Sequence, residues 1–351
     1  MTRPVPLLLP PNQFDHFYRG GARIAALRGT DPGPTPYRRP EEWVASTTTR
    51  AGQATQGLSR LPDGTLLRDA LAADPVGWLG SAHVERYGAD GVELLVKLLD
   101  AGERLPVHLH PTRAFSRQHL GLAHGKTEAW VVLEADPGAV VGLGLRTPLT
   151  RDELADLVRS GQGGALVEAL HTRPVRPGDG ILVPAGTPHA IGAGVLVVEV
   201  QEPTDLSILL EWEGYAIDGQ REGHLGLGWD LALAAVDLTV WSPSDVGRLV
   251  VSAPVAGADA LVPALPPEAA SYFRAHRVDA GAGLVDVPAG FAVLVVLGGA
   301  AELIPQDGRT LGLTRGDIAL VPWAAGPWSL LGDATGVLTR PPAPDAPDAP
   351  W

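Results

Sequence analysis

The chain has 351 residues, a net charge of −13 and no cysteine, which excludes disulfide cross-links and thiolate metal ligands and leaves no basic field for a nucleic-acid backbone. An apolar content of 45% with 19% charged residues describes a globular chain able to bury one large core or two smaller ones. No uncharged apolar run approaches the ~18 residues of a membrane span. Prolines break up the short apolar stretch of "MTRPVPLLLPPNQF", so no signal peptide is read and a cytoplasmic location is expected.

The predicted elements are mostly short apolar runs bounded by the 43 glycines and 33 prolines. In chain order they are 92–100, 127–135, 139–145, 180–186, 194–201, 292–299 and 317–322, the pattern of a mainly β chain folded as antiparallel barrels. Helices are the minority. "TRDELADLVRSGQGGALVEAL" (150–170) interrupts the strands, and Thr150 with Glu153 supplies a capping box ahead of apolar residues at helical spacing. A second helical candidate is 224–237.

Two stretches repeat weakly. "PGDGILVPAGTPHAI" (177–191) and "RGDIALVPWAAGPWSL" (315–330) share Gly-Asp, an apolar strand and Val-Pro before a turn, which predicts two related barrels. Only the first copy carries a histidine; the second holds Trp328, so its barrel is expected to be structural and without metal. The Pro-rich tail 341–351 is expected to be disordered or extended.

The chemistry-bearing residues cluster between 97 and 201. Lys97 and Lys126 are the only lysines among 27 basic residues, leaving 25 arginines, and they flank "PVHLHP" (106–111); such a bias leaves lysine where a compact charge on a flexible stem is useful. In a strand, His108 and His110 project from one face, but an isolated HxH is weak. A strand starting at Lys126 puts Lys126, Glu128 and Trp130 on one face. The spacing Gly178-x5-Pro184-x-Gly186-x2-His189 then adds a histidine after a tight turn. Three imidazoles and a carboxylate suit zinc, iron, manganese, cobalt or nickel and leave coordination positions for water or substrate oxygens.

Two histidines on one strand, a glutamate on the next and a histidine after the Gly/Pro turn resemble the metal site of the cupin barrel. More narrowly, "ELLVKLLDAGERLPVHLHP" (93–111), "GKTEAWVVLEA" (125–135) and "PGDGILVPAGTPHAIGAGVLVVEVQEPTD" (177–205) resemble the type I phosphomannose isomerases. That resemblance implies two jelly-roll barrels, the second degenerate: a metal-binding domain at 1–240 with a helical insert at about 148–172, a second domain at 241–340, and the tail. It implies one divalent metal on His108, His110, Glu128 and His189, and isomerisation of mannose 6-phosphate to fructose 6-phosphate, or of a related sugar, through a cis-enediol. Glu199, Lys126 and Lys97 match residues of the family's site and are the catalytic candidates. Gln201, Arg113 and Arg117 are candidates for binding the sugar or sugar phosphate; neither a nucleic-acid nor a membrane partner is expected.

The chain departs from the family at two places. Pro106 and His108 stand where members usually have serine and a glutamine ligand, and Leu209 stands where an arginine is usual. Two other readings stay open on the same residues: a cupin oxygenase or decarboxylase using a three-His, one-Glu site, and a sugar-binding cupin without activity.

Overall fold

The computed structural model describes residues 3–35, 37–252, 259–306 and 309–350. The apolar runs form four sheets in which every pair of named strands is antiparallel. In the first barrel a seven-stranded sheet runs Val250–Ser252, Asp179–Val183, Glu128–Ala135, Val195–Gln201, Leu95–Ala101, Glu41–Val44, Gln13–Phe14. It faces a five-stranded sheet ordered Ile208–Leu209, His108–Leu109, His189–Ile191, Val140–Leu145, Leu170–Pro174. Leu99, Trp130 and Ile181 from one sheet and Val141, Leu143 and Ile191 from the other fill the space between them.

The second barrel is a six-stranded sheet from Leu7–Leu8 to Leu261–Pro263 against a four-stranded one from Val285–Val287 to Leu311–Thr314. Its interior contains Leu294, Leu303, Val321, Trp328 and Leu330. Trp328 thus serves as a core side chain at the place in the repeat that corresponds to the histidine turn. Gly178 and Gly316, the glycines that open the two repeats, share a left-handed φ of 93° and 91°, a conformation that favours glycine.

Why Leu95–Ala101 carries apolar residues at both odd and even positions is now evident. Leu99 and Ala101 point into the first barrel, while Val96 and Leu98 point out toward Phe273, Phe291, Val293 and Leu320 of the second. A strand buried on both faces shows no alternation. Strands also cross between the barrels: Leu7–Leu8 pairs with Ile318–Val321, and Val250–Ser252 pairs with Asp179–Val183.

The insert expected at 150–170 is two helices, Arg151–Arg159 and Gly163–Glu168, the first closed by the capping box of Thr150 and Glu153. Leu154, Val158 and Leu166 cover the outer face of the five-stranded sheet at Leu109, Leu145 and Ile208. Of the stretch 224–237 only Trp229–Leu233 is helical. Three helices the periodicity does not reveal, Leu67–Ala73, Pro75–Leu79 and Ser81–Tyr87, pack Leu67, Leu71 and Trp78 into the core between the barrels. Residues 341–350 have neither helix nor strand and lie against the last of these, Tyr87 donating to the Ala343 carbonyl at 2.9 Å; Trp351 is outside the described residues. Among the described residues no helix is long and apolar enough to cross a membrane.

Candidate metal centre and its cavity

His108 and His189 are direct cross-strand partners, and His110 follows two residues on. Period-2 alternation turns Leu109 outward into the apolar layer under the insert and both histidines inward. The turn carrying His189 is fixed by Gly186, at φ +89°, whose N–H donates to the His110 carbonyl at 2.6 Å. The ligating nitrogens of His108, His110 and His189 lie within 4.8 Å of one another. From the facing sheet, Glu128 reaches them: its Oε2 is 2.8 Å from His110 Nε2 and its Oε1 is 3.4 Å from His189 Nε2.

The tautomers follow from the neighbours. Nδ1 of His108 meets the Pro106 carbonyl at 2.8 Å, that of His110 the Leu206 carbonyl at 2.7 Å, and that of His189 the Thr187 carbonyl at 2.8 Å. A carbonyl only accepts, so each Nδ1 carries the hydrogen, which leaves Nε2 as the nitrogen through which each ring could ligate. His189 Nε2 is buried with no hydrogen-bond partner. Burial first, and then the neighbouring imidazoles, hold His108 well below the usual histidine range, and burial with Lys126 brings His110 down to about 3. Neutral imidazoles at His108 and His110 and an ionised carboxylate at Glu128 are protonation states that a divalent cation requires. The residues fit such an ion on that chemistry.

Against this cluster lies a cavity of about 230 Å³, room for a hexose-sized ligand rather than for water alone. Both lysines of the chain line it. Lys126 Nζ sits 2.8 Å from Glu128 Oε2 and 2.8 Å from His110 Nε2. Lys97 Nζ lies 3.3 Å from both Glu41 and Glu199, over the Trp43 ring. Burial pushes the Lys97 ammonium down, but the two carboxylates outweigh it and hold it above the usual lysine range. Glu199 moves the other way: burial and the nearby Glu128 charge raise its carboxyl above the usual range, and its Oε1 has no hydrogen-bond partner.

The remaining sequence candidates lie elsewhere. Gln201 is buried, but its amide donates to the carbonyls of Glu202 and Thr204 at 3.1 and 2.6 Å and does not line the cavity. Arg113 pairs with Glu202 at 2.6 Å and stacks over Tyr272, and Arg117 is exposed on the same short helix; neither reaches the cavity.

Sequence reasoning missed a second group in the cavity wall: His16, Tyr18, Glu41, Arg50 and Asp205. Glu41 accepts from Tyr18 Oη and, at 2.7 Å, from Trp43 Nε1. Burial would raise the Glu41 carboxyl, yet His16, Lys97 and these two donors together hold it well below the usual carboxylate range. The signal was present in the alternation of Phe14, His16 and Tyr18 and of Glu41 and Trp43, on and beside the edge strand Gln13–Phe14 and its neighbour Glu41–Val44; His16, Tyr18 and Glu41 of these line the cavity.

A two-barrel β fold with an inward-facing three-His, one-Glu cluster defines a metal-site cupin. No family model matches the chain. It is 37% identical over 134 residues to the mannose-6-phosphate isomerase of Streptococcus mutans serotype c, which is 37% of this chain and 41% of that protein; the chain thus matches about two fifths of the length of that relative. The mannose 6-phosphate isomerase structure from Bacillus subtilis superposes with a TM-score of 0.70 over 96% of this chain and 100% of that one, at 22% identity. A mannose 6-phosphate isomerase solved with zinc and yttrium gives 0.71 over 97% and 100%, at 17% identity. The fold is therefore that of these isomerases, and the chain is a divergent relative of them.

Proposed function

We propose that the chain is a metal-dependent aldose–ketose isomerase of the mannose-6-phosphate isomerase type, acting on mannose 6-phosphate or a related sugar. The observation that carries this reading is the meeting, around one cavity, of a metal-ready donor set with two buried lysines and a buried carboxylate that has unmet hydrogen-bonding capacity. His108, His110, Glu128 and His189 would hold one divalent ion, zinc first by analogy with the zinc-bound relative, and such an ion supplies polarisation of the sugar carbonyl.

Glu199 then takes the proton from C2 of the open-chain aldose. The C2–H electron pair becomes the C1=C2 bond of a cis-enediol, and O1 is protonated. In the second half O2–H is lost, the C2 carbonyl forms, and Glu199 returns its proton to C1. Lys97, beside Glu199, orients that carboxylate. Lys126 places an ammonium near the sugar oxygens as their charge grows. The oxygenase or decarboxylase reading of the same donor set gains no support from the relatives.

A coupled isomerase assay across phosphorylated and free aldoses, with the protein loaded with zinc, manganese or cobalt, tests the proposal. Aldose–ketose interconversion is the expected result; oxygen consumption with bound iron and no interconversion would count against it.

A further inference from the structure

The cavity wall carries more negative than positive fixed charge. Glu41, Glu128, Glu199, Asp205 and Glu222 line it, against Arg50, Lys97 and Lys126. With every carboxylate ionised and the histidines neutral, the excess is two negative charges, which a divalent ion only cancels. Both lysines are also engaged, and Arg50 is committed in part, through Nη1. Lys97 is held between Glu41 and Glu199. Lys126 is held by Glu128 and His110. Arg50 donates to the Asp15 carbonyl at 2.9 Å and to the Gln56 side chain at 3.2 Å, with its guanidinium over the Phe14 ring.

The rest of the wall offers a dianion little. Pro106, Leu209, Ile217 and Leu225 present apolar surface; Pro106 has no N–H, and the N–H of Leu209 already donates to the Gly223 carbonyl at 2.9 Å. What remains open suits hydroxyl groups. His16 Nε2 is buried without a hydrogen-bond partner, 3.7 Å from Glu41, and Glu199 Oε1, though ion-paired with Lys97 at 3.3 Å, has no hydrogen bond. A phosphate needs several charge-assisted donors. A sugar hydroxyl needs only one donor or acceptor, and it can serve as either.

We infer that the preferred substrate is an uncharged aldose, with His16 reading one of its hydroxyls, rather than a sugar phosphate. This rests on the isomerase reading above and narrows it. Leu209 and Ile217 put apolar side chains, and no cation, into the cavity wall.

The test compares D-mannose with D-mannose 6-phosphate on the zinc-loaded full chain, following each interconversion and measuring zinc content. The expected kcat/KM is larger for mannose by about tenfold or more, the size of one missing charge-assisted interaction. Leu209→Arg and Ile217→Arg should each move the ratio toward the phosphate by about tenfold, with zinc content showing that the variant is folded. His16→Ala should raise KM for mannose with zinc retained, and His16→Gln should restore part of the loss. A parent enzyme that prefers mannose 6-phosphate overturns this inference and leaves the isomerase reading standing. Zinc retention with turnover of neither sugar overturns the isomerase reading, and this inference falls with it.

Discussion

At the scale of single residues, the proposed function assigns metal holding and proton handling to different side chains. His189 is fully buried and its Nδ1 is committed to the Thr187 carbonyl, so only Nε2 can ligate. His189→Ala is expected to weaken zinc binding by more than ~100-fold, beyond what loss of a supporting hydrogen bond does, as read by competition with a chromogenic chelator. Lys126→Met should retain zinc and lose turnover by about 100-fold or more, the cost of removing one electrostatic contact in a water-poor site. Retained activity in that variant would exclude Lys126 from the chemistry.

Glu41 sets a pH dependence whose sign can be worked out. Its folded-state carboxyl lies below the ordinary 4.5, so it contributes stability that is fully present above about pH 4.5 and drains away as pH falls through the lower folded value. Glu199, shifted the other way, partly offsets this at acid pH. Glu41→Gln should therefore flatten the acid limb of stability measured by denaturant unfolding. At neutral pH it should cost about 3 kcal/mol, because Lys97 stays buried with one carboxylate instead of two.

At the scale of elements, two glycines close in sequence, one in the strand Asp179–Val183 and one in the turn after it, separate conformation from contact. A Cβ on Gly186 would meet nothing closer than the Ala235 carbonyl at 3.5 Å, so Gly186→Ala bears only the left-handed backbone term, about 1–2 kcal/mol. A Cβ on Gly180 would fall 1.7 Å from the Ala264 carbonyl, which forces the strand Asp179–Val183 away from the second barrel. Thermal unfolding should rank Gly180→Ala as the more damaging, and the reverse order would refute this account of the contact.

The same elements explain what could be read without a structure. His108, His110, Glu128 and His189 were legible because alternation and a glycine-proline turn are local rules that fix the direction of a side chain. The helix Arg151–Arg159 was legible through its capping box. Helices of five to seven residues such as Leu67–Ala73 and Pro75–Leu79 are too short for a 3.6-residue period to stand out, and they exist because Leu67, Leu71 and Trp78 are buried by a distant barrel. Glu41 and His16 escaped for a related reason: their role depends on register with Lys97, a pairing that runs between Glu41–Val44 and Leu95–Ala101, some 50 residues apart. Arg113 was misleading because a guanidinium near the ligands in sequence is turned away by Glu202 and Tyr272.

At the scale of the whole molecule, the described residues of the second barrel form no imidazole cluster, yet that barrel completes the first. The outer face of the seven-stranded sheet, at Val96, Leu98, Val131 and Val198, shares one continuous apolar core with Phe273, Phe291, Val293 and Val337. Lys97 and Glu199 stand on those same strands, facing the cavity on the other side, so the rigidity of the cavity face depends on packing behind it. Phe273 is fully buried, and Phe273→Ala should cost about 3–5 kcal/mol. If the two barrels are one cooperative unit, amide exchange should speed up by the same free energy in Leu95–Ala101 and in Ala292–Gly298. Acceleration confined to Ala292–Gly298, with Leu95–Ala101 exchanging as in the parent, would mean that the first barrel holds its strands without help from the second.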